Sequence, residues 1–489
     1  MSWARLVTML IMLIALNSLN VGTLLAATYS VKASGGGNYT TIQACANAAV
    51  AGDTCTVFAG TYAGWTQSTS GSSGSPITFT VNPGDSVTVT SQVTVTNTSF
   101  ITINGFKFTV TSGRAVFAVD GPSITTSDII VSNNTVTATQ PNTLDVFYLY
   151  GDRIRIENND ASGFGNDFVD VGGQNVVIRG NTFRNADGGA SGGAEHIDFV
   201  QVVGGGTTPT LSFSLIEQNV EQSCTNDAGN CHFVIIRTGS GPVANSNIVR
   251  FNYAQNLDGS ALSFGGVGDN VPNTHAYNNT FATMKLVAEN ADCGSLQNAP
   301  NGVFLNNICY NVQTGGYFPF SGSAPPNNGN LVFTTGYSGS WPAPFSQEAT
   351  YTTFRNKDPL FANFPTDGTL QVSSPAIAAG VPLTTVAAGD SGSGTSLVVG
   401  DARYFQPGWA GAQADWLRVG PTITVQIVSI NYTTNTITLA SPISRSVGDR
   451  IYLYKDSSGR VVLYGSAPDT GAYPFQGSRP ASPTNLRVQ

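Results

Sequence analysis

The sequence predicts an all-β chain wound as a parallel β-helix, a solenoid of short stacked strands. Three observations carry that expectation. Short apolar strands recur, each closing on an asparagine: IIVSNNTV (129–136), IRIENNDA (154–161), VVIRGNTF (176–183), LIEQNV (215–220), IVRFNYA (248–254), HAYNNTF (275–281) and VFLNNIC (303–309). Their anchors, Asn134, Asn159, Asn181, Asn219, Asn252, Asn279 and Asn307, are separated by 25, 22, 38, 33, 27 and 28 residues. The bulk of the chain is Gly, Ser, Thr, Asn and Val, which favour strands and turns over helices. Charged residues are scarce, at 10% against roughly a quarter in ordinary soluble domains.

One asparagine per unit at a period of this size marks a solenoid. Each coil supplies a few short parallel strands, and the next coil supplies the missing hydrogen bonds. An asparagine at the turn bonds its amide to the coils on either side and tolerates left-handed backbone. In the first unit, ITINGF (101–106), Gly105 takes the anchor's place.

The elements follow in chain order. Arg5 precedes an apolar run, Leu6 to Leu25, that ends at Ala26-Ala27, as an export signal does. Polar residues at 17, 18 and 20 interrupt the run and argue against an uncleaved anchor. We therefore expect a signal peptide over 1–27 and a secreted protein, extracellular or periplasmic, with no later membrane span. Residues 28–380 form the solenoid. At its start, YTTIQACANAAVAGDTCTVFAGTY (39–62) places Ile42, Cys45, Ala46 and Ala49 on one helical face, and Gly52-Asp53 turns the chain into a strand.

Near the other end stand DPLFANFPTDGTLQVSSPAIAAG (358–380) and DTGAYPFQ (469–476). The 39–62 stretch resembles the N-terminal cap of right-handed β-helix proteins of the pectate-lyase-like superfamily, and the two later stretches resemble the paired closing motifs of its secreted members. The resemblance implies a right-handed solenoid spanning most of the chain. It implies no single reaction, because that superfamily mixes lyases, hydrolases, epimerases and proteins without known activity.

Between the closing motifs, 381–460 alternates with period two and carries turns about every ten residues, which predicts a small inserted β-barrel or sandwich packed at the C-terminal end. Residues 461–476 return to the solenoid. Residues 477–489 are a Pro/Ser linker and tail whose PTNLRV resembles the first strand of a fibronectin type III module.

Six cysteines in an exported chain read as three disulfides, and the spacings couple Cys45 with Cys55, Cys224 with Cys231 and Cys293 with Cys309. A metal site fits poorly, since no C-x-x-C occurs. The net charge of −8 argues against nucleic acid and weighs against strongly polyanionic substrates. We expect a monomer.

A second set of strands precedes the anchored ones: DVFYLY (145–150), DFVDVGG (167–173), DFVQVVG (198–204), HFVIIRTG (232–239) and SALSFGG (260–266). Their third and fifth residues are apolar and face inward, because strand side chains alternate. The second, fourth and sixth columns are then outward. The fourth position reads Tyr148, Asp170, Gln201, Ile235, Ser263, the second includes Phe168, Phe199 and Phe233, and the sixth includes Tyr150 and Arg237. The strands open on Asp145, Asp167, Asp198, His232 and Ser260, with His196 two residues ahead of Asp198.

Stacked aromatics beside aligned carboxylates point to a polysaccharide. The expected binding residues are Phe168, Phe199, Phe233, Tyr148, Gln201 and Arg237. Asp170 and Asp198, in adjacent coils, are the expected acid and base at the wider spacing of roughly 6.5–9.5 Å used by inverting glycosidases, with Asp167 alongside and His196 or His232 assisting. A lyase is second to a hydrolase: Arg237 or His232 would be its base, and Asp145, Asp167 and Asp198 would hold Ca²⁺. No other cofactor is expected. NDFVD (166–170) resembles the N-T-D-G-x-D element of polygalacturonase-like hydrolases, but that family's other motifs are missing and its mechanism is not carried over. The alternatives are a non-catalytic carbohydrate-binding protein, and strand-opening aspartates that merely cap turns.

Overall fold

The computed structural model describes residues 26–95, 97–111, 113–118, 126–138, 144–187, 197–204, 210–225, 231–239, 243–257, 259–266, 268–283, 293–311, 328–334 and 357–477. The leader through residue 25, Glu195 and His196, Asp258, Lys285 and the tail from 478 lie outside these.

Among the described residues three long parallel sheets run the length of the solenoid, with eleven, eleven and ten strands. One coil shows the pattern: Ser127–Ser132 lies in the first sheet, Thr135–Ala138 in the second and Phe147–Tyr150 in the third, and Arg155–Glu157 then re-enters the first. Val131, Val136, Phe147, Leu149 and Ile156 from these strands are buried in one continuous apolar core. The open end is closed by helix Ile42–Ala48, whose N-cap Thr41 accepts from the Ala44 amide. The Cys45–Cys55 disulfide pins this helix to strand Thr54–Val57. Cys224–Cys231 and Cys293–Cys309 also form, so all three local couples are present.

The asparagine anchors form one buried ladder at the corner between the first and second sheets. Each Oδ1 accepts the backbone amide of the preceding anchor, at 2.8 to 3.1 Å from Asn134 through Asn307. The series ends on Asn330, which the sequence reading missed because its strand, Leu331–Phe333, is preceded by NNGN rather than by an apolar run. Two details differ from expectation. The first anchor position belongs to Phe106, whose amide donates to Asn134 Oδ1, and not to Gly105. The left-handed backbone falls one residue before each anchor, at Asn133, Asn158, Gly180, Gln218, Phe251, Asn278 and Asn306. The anchor is therefore chosen for its amide and the preceding residue for its φ. Asn219→Ala would orphan the buried Asn181 amide and remove a donor from Ile178 O. We expect a loss of about 2–6 kcal/mol, at roughly 1–3 per orphaned group, read from the denaturation midpoint.

Between the two closing motifs the chain forms a six-stranded antiparallel sheet, from Thr384–Thr385 to Arg450–Lys455. Its two ends meet: Gly380 N donates to Pro468 O, and Asp469 accepts from the Ala378 and Phe475 amides at 2.7 Å each. The sheet does not sit at the C-terminal end of the solenoid as expected. It lies along the outer face of the first sheet, where Val177, Leu215, Ile248 and Val303 share an apolar cluster with its Leu397, Phe405, Trp409 and Leu417.

Beside that cluster the first sheet carries an outward column in which signs alternate: Glu157, Arg179, Glu217, Arg250, then Tyr277. Arg250 is fully buried, bonds Glu217 at 2.9 Å, forks onto Asp415 at 2.8 and 2.7 Å and reaches the Tyr277 hydroxyl. Alternation lets each charge meet its opposite one coil away, which offsets the cost of removing the column from water. His275 belongs to this interface too, between Asn273 O and Asp401.

Candidate active site

The outward face of the third sheet is organised by register. Phe117, Tyr148, Asp170, Gln201, Ile235 and Ser263 are paired rung by rung, the column the alternation predicts, extended one coil earlier by Phe117. Asp170 is a mid-strand carboxyl with no turn to cap. It is 8% exposed, accepts from the Tyr150 hydroxyl at 2.6 Å, and is also hydrogen-bonded by the Gln201 side chain. Burial pushes its pKa up to about 7; the Asp145 charge adds to the rise, and the bonds from Tyr150 and Gln201 and the charge of Arg114 oppose it. Burial likewise holds the Tyr150 hydroxyl far above its usual range.

One coil below, Tyr148 stacks on Phe117 with ring centres 5.6 Å apart and planes 10° from parallel. The Arg114 guanidinium lies 4.4 Å from the Tyr148 ring centre and is paired with Asp145 at 2.8 Å. Neither Phe117 nor Arg114 was singled out from the sequence, because the strand Val116–Ala118 lacks the opening aspartate that marks its neighbours.

Phe168, Phe199 and Phe233 are not on this surface. All three are fully buried and stack on one another inside the solenoid, at 4.8 Å and 4.9 Å between ring centres. At Phe233 alternation fails because consecutive amides, Phe233 and Val234, both donate to Ala261 O. Such a bulge resets the side-chain phase, so the residues on either side of it both point inward. The three rings are core and cannot touch a sugar.

The strand-opening column also turns inward. Asp167 and Asp198 are fully buried. Asp167 accepts the Asp198 amide at 2.7 Å, and Asp198 meets His232 Nδ1 at 2.9 Å. Burial, then the charges of Asp198 and Asp145, hold the Asp167 carboxyl well above the usual range. Asp198 is therefore not the outward partner of Asp170. The rung opposite Asp170 is Gln201, three residues further along the strand, which separates the two carboxyl positions by roughly 11 Å at the backbone.

His232 does reach the surface, 14% exposed, with Nε2 against Gly259, where a Cβ would approach to 3.1 Å. Arg237 is 37% exposed and donates to Gly265 O and Ser263, with Asp269 at 3.7 Å. The Asp145, Asp167 and Asp198 set does not suit calcium: the first is held by Arg114, the second by a backbone amide, the third by an imidazole. Among the described residues no three carboxylate, imidazole or thiolate groups converge as a metal site needs.

No family model matches the sequence, and no curated protein matches it. Several solved structures are similar. Pectate lyase Pel9A aligns at TM-score 0.43 and 16% identity over 75% of this chain and 94% of its own. A mannuronic-acid-specific family 6 polysaccharide lyase from human gut microbiota aligns at 0.39 and 13%, over 63% of this chain and 73% of its own. A rhamnogalacturonan lyase aligns at 0.34 and 13%, over 65% and 90%.

Of the groups bonded to Asp170, Tyr150 opposes the burial-driven rise in its pKa most. Its hydroxyl donates to the carboxylate form and so opposes the rise in pKa. Tyr150→Phe is expected to move the Asp170 titration upward by about one pH unit, the scale of one hydrogen bond to a charged group. Carboxyl titration followed by NMR or infrared spectroscopy measures it directly; a downward shift would contradict the assignment.

Proposed function

We propose that this chain is an extracellular polysaccharide-active enzyme that opens glycosidic bonds on the outward face of the third sheet, with Asp170 as the group that transfers the proton. The observation that supports this most is Asp170 itself: an outward, mid-strand carboxyl without a direct cationic partner among the described residues, withdrawn from water and poised to gain or lose a proton near neutral pH. Strands do not need such a group for their own stability. Tyr148 and Phe117 flank it on one side and Gln201 on the other, so a ligand laid along the column meets aromatic, ionisable and amide groups in turn. His232, oriented by Asp198, is a second polar side chain of this sheet that reaches the surface. Secretion is in keeping with three disulfides and with the absence, among the described residues, of any helix long and apolar enough to cross a membrane.

The test is incubation with a panel of polysaccharides, following both reducing ends and the ultraviolet absorbance of newly formed unsaturated sugars. Reducing ends alone report hydrolysis; both signals together report elimination. Binding without either product would leave a carbohydrate-binding protein and sink the enzyme reading.

A further inference from the structure

We infer that the glycan held on this face is a neutral one rather than a polyuronate; the inference rests on the reading that the face binds polysaccharide. The cations on the described face carry it. Of the nearby carboxyls Asp170 lies in the outward column, while Asp145, Asp167 and Asp198 are buried against their own partners. The described arginines beside them are already engaged. Arg114 is bound to Asp145 by two hydrogen bonds. Arg237 is occupied by Gly265 O and Ser263, with Asp269 nearby.

A polyuronate brings one carboxylate per sugar, and recognising it takes an available guanidinium or ammonium, or a divalent ion bridging acid to acid. The described face offers neither, and the Asp145, Asp167 and Asp198 carboxyls are turned onto their own partners. The net charge of −8 repels such a chain at longer range.

What the column does present is suited to uncharged sugar. Tyr148 and Phe117 are partly exposed, and Gln201, partly exposed as well, offers an amide one rung beyond Asp170. Hydroxyl groups and C–H faces pair with these without a counter-charge. Cleavage of such a chain is hydrolysis. The bond from the anomeric carbon to the bridging oxygen breaks, the hydroxyl of water joins that carbon, and the remaining hydrogen ends on the leaving oxygen. Elimination is not served, because it needs the C–H acidified by an adjacent uronate carboxyl.

Affinity electrophoresis of the intact protein separates the possibilities, using gels that contain xylan, galactan, mannan or β-glucan on one side and polygalacturonate or alginate on the other, with and without added Ca²⁺. We expect retardation by at least one neutral glycan, weakened about tenfold or more in affinity by Tyr148→Ala and by Gln201→Ala, and no retardation by either polyuronate. Because Gln201 is a partly exposed amide, its variant keeps the test valid should Tyr148→Ala fail to fold. Retardation by a polyuronate that both variants abolish would overturn the neutral class and leave the binding face standing. No retardation by any glycan, or retardation indifferent to both variants, would overturn the face itself and the inference with it.

Discussion

On a glycan that the protein cleaves, Asp170→Asn is expected to lower kcat by roughly 10²–10⁴-fold, the usual worth of a positioned acid or base, while KM moves only a few-fold. The amide keeps the size of the carboxyl and can still accept from Tyr150, so packing and ligand contacts survive while proton transfer does not. The pH–rate profile carries a second signature. Wild-type turnover should change through about pH 7, and the variant should lose that inflection.

Stability provides a third. The folded-state pKa is raised from 3.8 to about 7, so the folded protein keeps a proton that the unfolded chain has released between those limits. The contribution is fully present below about pH 4 and is lost as pH rises through 7. The variant should therefore gain stability over wild type at pH 8 compared with pH 4, read from paired denaturant midpoints. An Asp170→Asn protein with undiminished turnover would remove this residue from the chemistry whatever the substrate.

The largest structural effect is expected at Arg250. Arg250→Met leaves Glu217 and Asp415 in the interface between solenoid and inserted sheet without the guanidinium that faces both. Losing one member of a buried ionic network costs about 3–5 kcal/mol, because the remaining charges stay desolvated. The loss should appear in the urea midpoint and as faster proteolysis within 381–460. The contrasting variant is Arg153→Ala, whose side chain is 45% exposed on its Asp128 pair. It should change stability by about 1 kcal/mol or less. Equal, small effects from the two would mean that the inserted sheet is held by its apolar contacts alone.

The fold was largely legible because it repeats. Seven asparagines at matching places report a stacked corner, and the inward apolar pairs such as Val169 with Val171 and Val200 with Val202 report the strands behind them. The site was legible only in part. Period-two alternation located Tyr148, Asp170 and Gln201 correctly because they lie inside regular ladder. It misassigned Phe168, Phe199 and Phe233, which pack inward; at Phe233 the cause is a bulge, a backbone event that nothing in HFVII announces. Asp198 shares the parity of Val200 and Val202, so alternation itself turns it inward; only its place at the head of the strand suggested a surface role. The alternating column Glu157, Arg179, Glu217 and Arg250 went unread for another reason: its members are 22, 38 and 33 residues apart and gain meaning only once the register is known.

The asparagine ladder also governs how such a protein can change. Its rungs are evenly spaced in space, yet the chain between them varies from 22 to 38 residues. The surplus has to leave the solenoid at the other corners. In the longest unit, from Asn181 to Asn219, it falls on both sides of the third-sheet strand Ile197–Val203, the strand that carries Gln201. Length is thus variable in the sequence on either side of strand Ile197–Val203 and constrained at the ladder corner. Lineages, or protein engineers, can change the chain between rungs while the spine that registers the coils stays untouched.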